Sequence, residues 1–286
     1  MKTLTKIFMA VVALFAVSCV TDPIEDLGVN LGEGQTTISL SLEESRTHLG
    51  TEVDGEYPLY WSQGDKIAVN GVTSNALPAS AHGKVSATFT LNGAIGYPRT
   101  IVYPAPAEGV KAATADQYPV TFAATQSYKA GSFAEGAAPM YAYQASSNDA
   151  VALQHLSGVL SIAPYGEGVT LRKMTITAES GKLAGNFDVA ADGTLTAHAD
   201  ASNTITVTFG EGLTLGATEA DAKPIYVALP GGEFDMVSVK LYSESGMMSR
   251  SINTASKPIT AGKVRVFPPL EFASNDEEGA FYIYDE

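Results

Sequence analysis

Thr204-Ile205-Thr206-Val207-Thr208-Phe209 places three large apolar side chains on one side of the chain and three threonines on the other. A period of two is that of a strand with one face in a core and one in water. Its β-branched residues also favour extended backbone. The pattern recurs in the neighbouring sequence. Ile225, Val227 and Leu229 alternate with Tyr226 and Ala228; Val237, Val239 and Leu241 alternate with Ser238 and Lys240; Val264 and Val266 flank Arg265. Turn sequences such as Ala191-Asp192-Gly193-Thr194 and Leu229-Pro230-Gly231-Gly232 separate these runs. Six or seven short strands within about 100 residues describe a β-sandwich.

The same reading extends upstream. Thr36 to Leu42 alternates, with Ile38, Leu40 and Leu42 on one face and Thr37, Ser39 and Ser41 on the other. Leu59-Tyr60-Trp61 runs into the turn Ser62-Gln63-Gly64-Asp65 and then Lys66 to Asn70. Val85, Ala87, Phe89 and Leu91 share a face, and Thr100 to Tyr103 ends at Pro104. Residues 104–150 read as a long loop region with short strands, and Val151 to Ala163 as one bent strand or two around Ser157-Gly158. Pro164-Tyr165-Gly166-Glu167-Gly168 is the expected domain boundary. The expected fold is all-β, with two consecutive sandwiches spanning residues 47–166 and 167–272.

The front of the chain has the form of a secretory signal. Lys2 and Lys6 precede an apolar run from Ile7 to Val17, with the small Ser18 before Cys19. Eleven residues are too few to cross a hydrocarbon core about 30 Å thick as a helix. Cys19, the one cysteine of the chain, stands where a lipoprotein signal is cut and its thiol acylated, although Ala16 occupies position −3, where leucine is usual. Residues 1–18 are therefore read as the signal peptide and 19–46 as a lipidated propeptide, with the protein exported and tethered to a membrane. Removing the signal leaves 15 basic against 31 acidic residues, a net charge of −16. Such a surface is unsuited to nucleic acid, which is bound through Lys and Arg. With one cysteine no internal disulfide can form, so packing and hydrogen bonding must hold the cores.

Motifs of catalysis are missing from the sequence. It has no G-x-S-x-G, H-E-x-x-H, Walker loop, C-x-x-C or complete EF-hand loop. His48, His82, His155 and His198 lack a second ligand at metal spacing, and His155 reads as a core histidine. No enzyme activity, cofactor or metal is expected.

Two terminal segments stand out. Ala280-Phe281-Tyr282-Ile283-Tyr284 follows an acidic linker, and in a strand it would carry Phe281 and Ile283 on one face and Tyr282 and Tyr284 on the other. Both faces call for burial. Near the front, Arg46-Thr47 lies in a charged segment open to a trypsin-like protease. Cutting there would release the strand carrying Ile38, Leu40 and Leu42 and leave an apolar slot. The tail Phe281–Tyr284 of another copy could then fill the slot by strand addition. Donor and acceptor surfaces differ, so such contacts generate a filament.

Together these features resemble the fimbrillin family, the subunits of type V pili. The resemblance is carried by Cys19, the Arg46-Thr47 junction and the block Trp61-Ser62-Gln63-Gly64-Asp65-Lys66-Ile67-Ala68-Val69. It continues through Leu153-Gln154-His155, Leu229-Pro230-Gly231 and Ala261-Gly262-Lys263-Val264, so it spans the chain from the signal to about residue 270. The resemblance implies two tandem transthyretin-like Greek-key sandwiches and an outer-membrane lipoprotein precursor held by lipid on Cys19. It also implies cleavage after Arg46 by an arginine-specific protease, and assembly by strand exchange with other fimbrial subunits, in a homopolymer with tip and anchor proteins, supporting adhesion. The competing expectation is a surface lipoprotein that does not polymerise, or a tip or anchor component. It would bind glycan or host protein through loops near Tyr128, Tyr141 and Tyr143.

Overall fold

A computed structural model describes residues 34–41, 60–148, 151–253, 258–274 and 282–283. The threonine-rich run becomes the eleven-residue strand Thr204–Thr214, with Ile205, Val207 and Phe209 buried. It lies in a six-stranded sheet. Antiparallel neighbours follow in the order Thr204–Thr214, Thr170–Ala178, Met236–Ser243 and Gly246–Asn253. At its two edges, Thr125–Ser127 pairs parallel to Thr204–Thr214, and Tyr282–Ile283 pairs parallel to Gly246–Asn253.

Opposite this sheet, Ser157–Ile162 runs between Ile225–Pro230, antiparallel, and Val264–Val266, parallel. Leu160, Ile162, Ile225, Val227 and Leu229 from this side meet Met174, Ile176, Ile205, Val207, Val237, Val239 and Leu241 from the other in one apolar cluster. The alternation read in the sequence is thus the inner face of a sandwich, as sheet-on-sheet packing requires.

The first half is built on a five-stranded sheet with the order Val72–Thr73, Ala68–Val69, Arg99–Tyr103, Met140–Gln144, Gln154–His155. Alternation sends its side chains into two different clusters. Ile101, Tyr103, Met140 and Ala142 enter a core closed by the ribbon of Gln35–Ser41 and Ser86–Asn92. Val102 and Tyr141 enter another, with Val120 and Phe122 of Tyr118–Phe122 and Phe187 and Val189 of Gly185–Val189. A sheet covered on both faces needs apolar residues at consecutive positions, and Thr100–Tyr103 is buried throughout.

The strands pair across the expected boundary at residue 166. Gly185–Val189 pairs with Tyr118–Phe122, and Thr204–Thr214 with Thr125–Ser127. Leu160 and Ile162, assigned in the sequence to the first sandwich, belong to the second core, while Leu153 belongs to the first. The described residues from Gly34 onward form one compact unit. The stretch Val151–Ala163 does break in two, into Gln154–His155 and Ser157–Ile162. Gly158 is required there: a Cβ would stand 2.6 Å from Ile259 Cγ2 and 2.7 Å from the Thr260 carbonyl oxygen.

Two buried polar groups secure this arrangement. Gln126 lies on Thr125–Ser127 and reaches Ile225–Pro230: its Nε2 donates to the Ala228 carbonyl (2.6 Å) and its Oε1 accepts the Ala228 N–H (3.2 Å). Asp188 accepts the Ala113 and Thr114 N–H groups, each at 2.8 Å, and stands 2.7 Å from His198 Nε2. Truncating Gln126→Ala would leave the Ala228 amide and carbonyl without these partners inside the protein, at a cost of about 1–3 kcal/mol for each bared group. A urea titration should show a lower midpoint with an unchanged slope.

Candidate functional site

The site to which the sequence points is the front strand and the slot it fills. Gln35–Ser41 pairs antiparallel with Ser86–Asn92 along its entire length, from Gln35 opposite Asn92 to Ser41 opposite Ser86. The alternation is regular because the ribbon has one face on the core. Thr36, Ile38 and Leu40 are buried, while Ser39 is exposed and its hydroxyl stands 2.9 Å from that of Thr88. On the other side of the strand, Ser41 makes a single parallel bridge to Ala152.

Thr36 was read in the sequence only as the start of the strand, yet it latches it. Its Oγ1 donates to the Gly93 carbonyl (2.8 Å) and accepts the Ile95 N–H (3.1 Å). The signal was its place in the period: Thr36 falls in phase with Ile38 and Leu40.

The floor of the slot is aromatic. Trp61 is fully buried and meets Phe89 and Tyr103 edge-on, with ring centroids at 5.0 and 5.3 Å. Phe89 lies directly opposite Ile38. The expected structural role of the Trp61 block is explicit in its contacts. Gly64 takes a positive φ of 93°, and Asp65 closes the turn by accepting the Ser62 N–H (2.8 Å) and the Tyr103 hydroxyl (2.9 Å). Burial pushes the Asp65 carboxyl above its ordinary value, against the lowering effect of these two bonds. Burial and the nearby Asp65 charge push the Tyr103 phenol up as well.

The other motif residues are structural too. Gly262 has a φ of 74° and its N–H donates to the Ser157 carbonyl (2.8 Å), which leads Val264 into its pairing with Val159. Leu229 is in the second core, and Gly231 donates its N–H to the Leu156 carbonyl (2.9 Å). His155, expected in the core, is half-buried on an edge strand.

Of the remaining site residues, Cys19, Leu42, Arg46, Thr47, Phe281 and Tyr284 lie outside the described residues. Tyr282 and Ile283 are placed by their backbone, opposite Ser251 and Ile252 of the same chain. Tyr128, Tyr141 and Tyr143 do not form one contact surface. Tyr128 packs on Phe209 in the second half, Tyr141 is buried, and Tyr143 is exposed. Among the described residues no three His, Cys, Asp or Glu side chains group as metal ligands, and no helix is long and apolar enough to cross a membrane.

The fold and the slot describe an all-β protein of sandwich architecture whose strand Gln35–Ser41 helps close the first core. No family profile matches the chain, and no curated protein sequence does. Solved structures similar to it are cell-adhesion and fimbrial proteins. One assigned to cell adhesion in Bacteroides ovatus shares 12% identity at a TM-score of 0.42, over 72% of this chain and 82% of that one. Another from Bacteroides uniformis shares 13% at 0.45, over 84% and 94%. A fimbrial protein from Bacteroides ovatus shares 11% at 0.32, over 80% and 47%.

Two outcomes test the slot. Leu40→Ala empties a nearly inaccessible position and should cost about 2–5 kcal/mol in chemical denaturation. For Asp65, a carboxyl whose pKa is raised on folding binds more protons in the folded chain. Its contribution therefore favours folding below the ordinary value of 3.8 and is lost as pH rises through the raised one. Melting temperatures followed upward in pH from that value should fall less steeply in Asp65→Asn than in the native chain.

Proposed function

We propose that this protein is a structural subunit of a cell-surface fimbria. On this reading it is exported as an outer-membrane lipoprotein through Cys19, cut after Arg46 by an arginine-specific protease, and polymerised by strand exchange to support adhesion. Each half of the molecule would then follow the transthyretin-like Greek-key plan. The observation that carries the reading is the front strand. Gln35–Ser41 supplies two side chains to the first core, Ile38 and Leu40, yet it precedes Arg46 in the chain, so one cut would free it from the rest. Its departure would uncover Phe89, Leu91 and the unpaired edge of Ser86–Asn92. Refilling the slot with two large apolar side chains is worth on the order of 3–6 kcal/mol in burial alone. The seven-residue tail of residues 280–286, with Phe281, Tyr282, Ile283 and Tyr284, has the size and apolar character for that place in another copy.

One observation favours a second reading, a surface lipoprotein that stays monomeric. Tyr282–Ile283 pairs within its own chain, at the edge of the six-stranded sheet.

The mass of the surface-exposed protein separates the two. A free Thr47 amine supports the fimbrial subunit, and an acylated Cys19 supports the monomer. Treated with an arginine-specific protease, the native precursor should shorten at Arg46 and form ladders on a gel. Arg46→Ala should remain uncut and monomeric, and a chain lacking residues 280–286 should be cut without polymerising. Ladders from either variant would refute the exchange.

A further inference from the structure

A cleft of about 410 Å3 opens where the edge strand Gln154–His155 meets the hairpin joining Gly185–Val189 to Leu195–Ala197. Its remaining wall is the Gly231–Gly232 turn with Ile259 and Ala261. That volume falls within the range of small-molecule sites. All three walls are pinned by backbone hydrogen bonds, the Gln154–His155 strand through its pairing with Met140 and Tyr141. Ala190 N–H donates to the Thr194 carbonyl and Gly193 N–H to the Ala190 carbonyl, both at 3.0 Å. Gly232 and Ile259 exchange two bonds of 2.9 Å. Such a cleft exists before any ligand arrives, which lowers the ordering cost of binding.

The chemistry of the lining selects among ligands. Tyr141 donates its hydroxyl to Gln154 Oε1 (3.3 Å), which orients the exposed amide of this lining residue, whose Nε2 carries two N–H donors. Thr194 bonds the Asp192 carboxylate through its N–H, to Oδ1 at 2.9 Å, and through its side chain, and the two carboxylate oxygens between them have lone pairs to accept further bonds. The backbone and side-chain bonds from Thr194 hold Asp192 below its ordinary pKa, so it is ionised at neutral pH. Burial raises the Tyr141 phenol and the Asp192 charge adds to it, so Tyr141 remains neutral. The lining includes no Lys or Arg, and the Asp192 charge repels anions. A single carboxylate is too little for a metal ion, and the amide, carboxylate, imidazole and hydroxyls make a poor surface for an apolar ligand. A neutral ligand that both donates and accepts hydrogen bonds matches this lining.

We propose that this cleft binds a carbohydrate, with Gln154 Nε2 and Asp192 Oδ2 bonding adjacent hydroxyls of a neutral sugar. Gly193 makes the close fit possible. It holds a φ of 87°, and a Cβ there would stand 2.3 Å from the Tyr141 hydroxyl oxygen. The site lies apart from the front-strand slot, whose core residues it does not share.

Amide-resolved NMR of the full chain without its signal, titrated with glucose, galactose, mannose, N-acetylglucosamine, lactose and maltose to high millimolar concentration, tests the assignment. At least one sugar should shift Tyr141, Gln154 and the Asp192–Leu195 amides in a saturable way. Gln154→Ala and Asp192→Ala, both at exposed positions, should each weaken it about tenfold, the equivalent of one hydrogen bond. Tyr97→Ala, an exposed aromatic outside the cleft, should bind as the native chain does. Unchanged melting temperatures in all three would separate lost contacts from lost folding. Absence of saturable shifts with every sugar, binding as tight as the native chain's by either cleft variant, or tighter binding of sialyllactose than of lactose would each overturn the proposal. Protease-induced laddering of the cleft variants should match the native chain, so this reading and the fimbrial one fail separately.

Discussion

Everything in the first half depends on closing the core around Trp61. Its indole is inaccessible to water and touches Phe89 and Tyr103, and the layer above these rings is completed by Ile38 and Leu40. A β-sheet with one apolar face must find a cover. Here the cover is a two-stranded ribbon, and one of its strands comes from the front of the molecule. With no disulfide to hold it, that strand stays by backbone pairing, by two apolar side chains and by the Thr36 latch. Such a strand is integral in energy while remaining separable in sequence. The combination gives the proposed processing its physical sense.

The two halves are joined by more than a linker. Phe122 and Phe187 meet edge-on at 5.1 Å in the sheet that pairs Tyr118–Phe122 with Gly185–Val189, strands from either side of residue 166. Gln126 ties the edge of the six-stranded sheet to Ala228 in the opposing one. In a dry interior such bonds are strong, and any orphaned partner is costly. The halves therefore support one another through layers that neither half could complete alone.

How much of this was legible depended on whether a strand carries its own period. Thr204–Phe209, Ile225–Leu229 and Val237–Leu241 have one face in the core, and their alternation placed them correctly. Val85 was read in phase with Phe89 and Leu91, but the strand begins at Ser86 and Val85 is exposed. Ser157–Ile162 is buried at every position, so its sequence has no polar face to reveal where it packs. Its membership of the second core could not be deduced from period alone. The pairing of Tyr118–Phe122 with Gly185–Val189 joins residues more than sixty positions apart, and nothing local encodes it. The cleft was hidden for the same reason. Its amide, carboxylate and phenol come from three separate stretches: Gln154 was read as part of a strand motif, Asp192 as part of a turn and Tyr141 for its aromatic ring, and nothing local brings the three together.

The tail brings the competing readings to a question of relative strength. In its own chain Tyr282–Ile283 adds two residues in parallel to the rim of a sheet. Parallel pairing is slightly weaker per residue than antiparallel, and each backbone bond contributes only about 0.5–1.5 kcal/mol net. The front strand, by contrast, pairs over seven residues and buries Ile38 and Leu40 almost completely. A segment held at the rim by so short a ladder loses little by leaving. The same segment placed in an emptied slot would gain a full-length partner in Ser86–Asn92 and an aromatic floor. The pairing within one chain is thus compatible with exchange, provided the slot is vacated first. That condition makes the cut after Arg46 the controlling step of the proposed assembly.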